Sequence, residues 1–169
     1  MRTASGQQPN TVGAMPTPDF ILELREHIGH APLWLSGVTA VVVRDDEVLL
    51  VRRSDNGAWT PVTGIIDPGE EPAVAATREV AEEAGCVVTP QRLVSVHVTP
   101  PVTYPNGDVS QYLDLTFRMT WVSGEPTIGD DENSECGWFP LDDLPAMSDE
   151  MNYRIGTAVE NAPEARFRT

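Results

Sequence analysis

Glu79, Glu82 and Glu83 occupy positions i, i+3 and i+4 of the segment Arg78-Glu79-Val80-Ala81-Glu82-Glu83. If this segment is helical, the three carboxylates leave one face together. Three anions so close repel one another, which is costly unless a cation neutralises them. Carboxylate oxygens are hard ligands and favour Mg²⁺ or Mn²⁺. Such an ion suits cleavage of a phosphate anhydride, because it offsets phosphate charge and acidifies a bound water. In isolation the same spacing equally describes a solvated helix face. Residues outside the segment decide between the two.

Gly64 is followed by five residues and then Glu70, and seven more residues separate Glu70 from Arg78. Gly85 and Cys86 close the run. The pattern G-x₅-E-x₇-R-E-U-x-E-E-x-G-U, with U bulky and apolar, resembles the signature of the Nudix hydrolases, the MutT-like family. Residues 64–86 match every fixed position. Cys86 takes the last apolar place, where a buried Cys acts as a small hydrophobe. A looser resemblance covers about residues 36–145, with Trp59 ahead of the box. There Gly137-Trp138-Phe139-Pro140-Leu141 and Asp143-Leu144-Pro145 look like the family's closing strand and turn.

The resemblance implies an α/β fold, the Nudix α/β/α sandwich with a central mixed β-sheet. It implies metal-dependent hydrolysis of the diphosphate linkage in a nucleoside diphosphate derivative. Glu79, Glu82 and Glu83 match the metal ligands, with the Gly64 carbonyl as a backbone ligand, for Mg²⁺ or alternatively Mn²⁺. Glu82, Glu83 and Arg78 match the catalytic part of the box, and Glu70 matches the structural partner of Arg78. The proton acceptor lies within the box in some members and on a distal loop in others. Counting back from Trp138 points to Glu132, with Glu135 as the nearby alternative. One departure stands at the entry, where Pro61-Val62-Thr63-Gly64 replaces the family's L-P-G-G. Thr63 thus occupies a place where glycine could supply an unusual backbone angle.

The elements that must position these residues follow from patterning. Asp19–Ile28 reads as a short amphipathic helix stopped by Gly29. The β-branched run 37–44 and residues 47–53 read as a hairpin about Asp45-Asp46. Trp59–Val62 is a short extended piece, and 63–71 a glycine-bearing loop. Pro72 suits the first position of a helix running to Ala84 and ending at Gly85, with Ala76, Val80 and Ala84 as an apolar stripe. Residues 92–99 and 109–122 read as strands. On the second, Leu113, Leu115, Phe117, Met119 and Trp121 share one face, and Tyr112, Asp114, Thr116, Arg118 and Thr120 the other. Residues 130–135 form an acidic loop, 137–140 a short strand and 149–159 a terminal helix. Residues 1–17 read as a disordered lead-in, and 18–169 as a single domain.

Candidate substrate contacts sit on these elements. Arg52 or Arg53, ending a strand, meets phosphate or is surface charge. Trp59 and Tyr104 offer rings for a base, although core packing competes for Trp59. Gln111 and Asp114 on the long strand face the cleft. His97 has no evident partner and reads as structural.

The 169 residues carry 26 acidic against 11 basic side chains, a net charge of −15. Such a surface disfavours nucleic acid and anionic membranes and would repel a polyanionic small substrate unless a cation mediates; the resemblance implies a nucleoside diphosphate-type small molecule as that partner. The 40% hydrophobic content suffices for a core, and 15 Pro with 13 Gly indicate many turns. Cys86 and Cys136 lie in no Cys/His cluster, so no zinc site is indicated. No apolar leader or membrane-length run occurs, and the cytoplasm is the expected location. Members of the resembling family commonly form homodimers, an assembly open to this chain. Two other readings compete with hydrolysis. A nucleotide-sensing Nudix-like module would tend to lose the glutamates. An isomerase would want a reactive acid–base pair.

Overall fold

The structure, a computed structural model, describes residues 17–129 and 131–169. The lead-in expected over residues 1–17 lies outside the described residues apart from Thr17, and so does Asp130 of the expected acidic loop. Helix α1 (Asp19–Ile28) precedes strands β1 (Leu33–Arg44), β2 (Glu47–Arg53), β3 (Trp59–Thr60) and β4 (Val62–Ile65). Helix α2 (Pro72–Ala84) follows, then β5 (Val87–Val98), β6 (Val102–Thr103), β7 (Val109–Ser123), β8 (Asn133–Pro140), α3 (Asp149–Glu160) and β9 (Arg166–Phe167). The strands form one sheet ordered β3-β2-β1-β7-β5-β9, with β4 paired to β1, β6 to β7 and β8 to β2. The β1–β7 and β5–β9 pairs are parallel and the others antiparallel, so the sheet is mixed.

Side chains alternate across a strand, and here both faces are covered. Val38, Ala40, Val42, Leu49, Val51, Phe117 and Met119 pack on one face with Ala75, Ala76, Val80 and Ala84 of α2. Val41, Val43, Val48, Leu50 and Val94 pack on the other with Ile155 and Ala158 of α3. Each fully buried Val or Leu contributes about 1.5–3 kcal/mol. The result is the expected α/β/α sandwich with α2 and α3 on opposite sides. The faces of β7 divide as its alternation predicts: Leu115, Phe117, Met119 and Trp121 lie toward α2, while Asp114 and Arg118 contact α3.

Helix α2 begins on Pro72 and ends where Gly85 turns left-handed (φ 63°), its N–H bonding the Ala81 carbonyl at 3.2 Å. Helix α3 is capped by Ser148, whose hydroxyl accepts from the Met151 N–H at 3.3 Å. Helix α1 buries only Ile21, leaving Leu22, Leu24 and Ile28 exposed. Arg25 docks it, donating to the Val109 carbonyl at 2.9 Å.

Several boundaries differ from the sequence reading through long-range pairing, and residues 63–65, expected in the loop, belong to β4 because they pair with residues 37–39 of β1. β1 starts at Leu33 because Leu33–Ser36 pair with Ser110–Leu113. β5 starts at Val87, carried through Pro90 by register shifts against β7. β8 starts at Asn133, because Asn133 and Glu135 pair with Arg53 and Arg52. The last is a correction: Glu135 lies on a strand, not in a loop.

Candidate metal and substrate site

Helix α2 carries Arg78, Glu79, Glu82 and Glu83 beside its buried Ala/Val stripe, with Glu82 exposed and Glu83 buried. Arg78 organises this group. Its Nε and Nη2 each lie 2.9 Å from one Glu70 oxygen, a two-pronged pair that ties the 66–71 loop to the helix. Nη2 also reaches the Ile65 carbonyl at 3.3 Å, and Nη1 reaches Glu79 at 2.9 Å and Glu82 at 3.0 Å. The Arg78 guanidinium holds the Glu70 carboxyl below the usual carboxylate range.

Gly64 faces Glu79 so closely that an added Cβ would lie 2.1 Å from the Glu79 carboxyl. Any larger residue displaces that carboxylate. The Gly64 carbonyl, the expected backbone ligand, lies toward β1, 3.4 Å from where a Gly37 Cβ would stand. Thr63 keeps a negative φ inside β4 and pairs with Thr39, so this departure from the family pattern strains nothing. Burial pushes the Glu79 carboxyl up to about 7; Arg78 opposes this, and the Glu82 and Glu132 charges add to it. Glu83 is 4% exposed and accepts from Asn133 Nδ2 at 2.8 Å. Glu82 stands at the rim.

Among the described residues, no three acidic, His or Cys side chains converge on one point as a ready-made cage. Arg78 Nη1 stands between Glu79 and Glu82 instead. The donor set nonetheless suits a hard divalent cation: two largely buried carboxylates, a third at the rim and a backbone carbonyl nearby. A cation held there by Glu79 and Glu82 would compete with Arg78 Nη1 for their oxygens.

Glu132 is half-buried just before β8, close enough for its charge to act on Glu79. Its carbonyl accepts from the Ser54 N–H at 2.8 Å, which fixes the segment against the end of β2.

A cavity of about 630 Å³ opens beside Gly64 and runs along the α3 side of the sheet. Arg53, Trp59, Tyr104, Tyr112, Asp114 and Arg154 are on its wall. Arg53 binds Asp55 at 2.7 and 3.0 Å, and this hydrogen-bonded pairing lowers the Asp55 pKa. The Tyr104 and Tyr112 hydroxyls share a hydrogen bond of 2.6 Å. Trp59 serves both readings, packing edge-on against Phe139 at 4.7 Å while lining the cavity.

Arg52 and Gln111 are not brought to this wall. Arg52 bonds Glu135 at 2.5 Å and the Gly57 carbonyl at 3.1 Å. Gln111 donates to the Thr99 carbonyl at 3.0 Å. His97 is not without partners: it is buried between Glu150 and Asp114, edge-on to Tyr153. That charged group continues through Arg154, which bonds Thr39 at 2.7 Å and stands 3.2 Å from Asp114. Sequence reasoning missed Asn133, Asp55 and Arg154. Only the i, i+4 spacing of Glu150 and Arg154 was a visible signal.

The fold and site together define a mixed α/β/α sandwich in which Gly64 both touches the acidic helix and lines the cavity. The sequence matches the NUDIX domain family model over residues 34–159, and the chain belongs to that family. It is 30% identical over 122 residues to the NAD-capped RNA hydrolase NudC of Stutzerimonas stutzeri (strain A1501), covering 71% of this chain and 41% of that protein. It is 34% identical over 112 residues to the protein of the same name from Escherichia coli (strain SMS-3-5 / SECEC), covering 65% and 40%. The chain thus spans about two fifths of the length of these curated relatives. Among solved structures, a NUDIX hydrolase from Nitrosomonas europaea is 27% identical with a TM-score of 0.63, covering 76% of this chain and 90% of that one. An ADP-ribose pyrophosphatase from Streptococcus suis 89-1591 shares the fold with a TM-score of 0.62 at 23% identity, covering 79% and 97%.

Proposed function

We propose that this chain hydrolyses the diphosphate linkage of a small nucleoside diphosphate derivative, using Mg²⁺ or Mn²⁺ held by Glu79, Glu82, Glu83 and the Gly64 carbonyl. The observation that carries this reading is the Glu79–Glu82–Glu83 helix face packed against Gly64, a residue that also lines the cavity. When bound, the cation would neutralise phosphate charge and acidify water. Glu132 accepts the proton of the attacking water. The water oxygen bonds to phosphorus, the bridging P–O bond breaks, and two phosphate-bearing products leave. Arg53 meets a phosphate at the cavity wall, while Trp59 and Tyr104 flank the organic part. Residues 18–169 act as one domain.

The test is a screen of nucleoside diphosphate derivatives with Mg²⁺ and with Mn²⁺, reading phosphate after a coupled phosphatase. Glu82→Gln keeps the side chain's shape and removes a ligand charge. It should cut turnover roughly a hundredfold or more, each decade corresponding to about 1.4 kcal/mol. Full turnover in this variant on the true substrate would refute the metal assignment.

The names of the curated relatives favour a second reading, in which the substrate is the capped end of an RNA. The net charge of −15 opposes a polyanionic RNA body. Comparing NAD with NAD-capped RNA separates the two readings. Faster cleavage of the capped RNA would favour the second.

A further inference from the structure

Among the described residues, hydrogen bonds attach the segment that carries Glu132 to α2. The Thr127 N–H donates to the Ala84 carbonyl at 3.0 Å, and the Gly129 N–H to the Glu83 carbonyl at 3.3 Å. These carbonyls lie in the last turn of a helix, where no intrahelical donor remains for them. A further bond joins side chains, Asn133 Nδ2 to Glu83 Oε2 at 2.8 Å, with Asn133 only 5% exposed. On its other side the segment is fixed to β2, through the Ser54 N–H on the Glu132 carbonyl and the Arg53–Asn133 pairing. There is little slack in this arrangement. A Cβ on Gly129 would lie 1.7 Å from the Glu82 carbonyl oxygen.

The chemistry of position 133 is restrictive. A carboxylate only accepts, so the neighbour facing Glu83 must donate. Asn donates while staying neutral. An Asp there would set a second anion against a buried one, and an Ala would leave a buried carboxylate oxygen short of a donor. Donors of this kind, one step behind a metal ligand, set the ligand's orientation and basicity.

We propose that Asn133 is a positioning residue. Its amide fixes the plane of the Glu83 carboxylate for the divalent cation. Because it directly follows Glu132, it also locks the proton acceptor to the metal-binding helix. The inference rests on the metal-dependent hydrolase reading above, and extends it to a residue outside the box.

The test measures Mn²⁺ binding by electron paramagnetic resonance, in parallel with kcat and KM on the substrate found by the screen. Asn133→Ala should weaken Mn²⁺ binding by roughly tenfold to a hundredfold, the usual range for such partners. It should lower kcat more than it changes KM. Asn133→Ser, which retains a shorter donor, should recover part of both, and it serves also where Asn133→Ala does not fold. Folded variants with wild-type Mn²⁺ affinity and kcat would overturn the inference. A drop in melting temperature with both quantities unchanged would do the same, reducing Asn133 to a structural role. Failure of the wild-type protein to bind Mn²⁺ would instead overturn the hydrolase reading, so the two failures are distinguishable.

Discussion

At the scale of single residues, neighbours decide what each glutamate can do. Glu70 is paired on both oxygens by Arg78, so it orders the loop. Glu79 is pressed against Gly64, and burial raises its pKa to about 7, a cost that a cation would offset. Gly64→Ala should therefore displace Glu79 and weaken Mn²⁺ binding at least tenfold, with a smaller effect on melting temperature. Unaltered Mn²⁺ binding in a folded variant would count against that close approach. Glu132→Gln should lower kcat by roughly 10²–10⁴-fold while leaving metal affinity near wild type. Near-normal turnover there would move the proton-accepting role to Glu135 or to the box. The box residues were legible because a family signature fixes their spacing. Asn133 was not, because its only signal is a contact with a residue 50 positions away.

At the scale of elements, α2 works as a rigid plate with two unlike sides. Ala75, Ala76, Val80 and Ala84 have no measurable exposure, and small residues bring the helix backbone close to the sheet. That closeness sets the Glu79–Gly64 contact. Ala76→Leu should overpack this interface and cost about 1–3 kcal/mol of stability, readable as a lower urea midpoint. It should also weaken metal binding, since the carboxylates move with the helix. A stable variant with a wild-type midpoint would show slack beneath α2. The helix was readable from Pro72, Gly85 and its apolar stripe. The starts of β1, β5 and β8 were not, because they depend on partners distant in the chain.

For the whole molecule, acid sensitivity follows from depressed pKa values, Glu70, Asp55, His97 and Asp108 among them. Arg78 lowers Glu70, Arg53 lowers Asp55, and burial lowers His97. A depressed group adds stability above its unfolded pKa and loses it as pH falls through its folded value. Glu79 has the opposite sign in the metal-free protein: its contribution is full below 4.5 and lost as pH rises through about 7. The melting temperature of the wild type should exceed that of Glu70→Gln near neutrality. The gap should close as pH falls below the ordinary carboxylate range, because the Glu70 carboxyl is held below it. A gap independent of pH would deny Glu70 that role. No helix among the described residues is long and apolar enough to cross a membrane.

The sequence by itself determined the acidic helix, its glycine and proline limits, the alternation of the strands and the family signature. These are local properties: carboxylate spacing on a helix and the period-two strand pattern need no knowledge of distant partners. Only the tertiary structure decided which side chains meet. It put Arg53 on the cavity wall and left Arg52 off it, gave Gln111 to a backbone carbonyl, enclosed His97 among charges and set Asn133 against Glu83. Those outcomes depend on sheet register, since a one-residue shift moves every side chain to the other face. Register is fixed jointly by both faces of the buried sheet, and no single segment carries it.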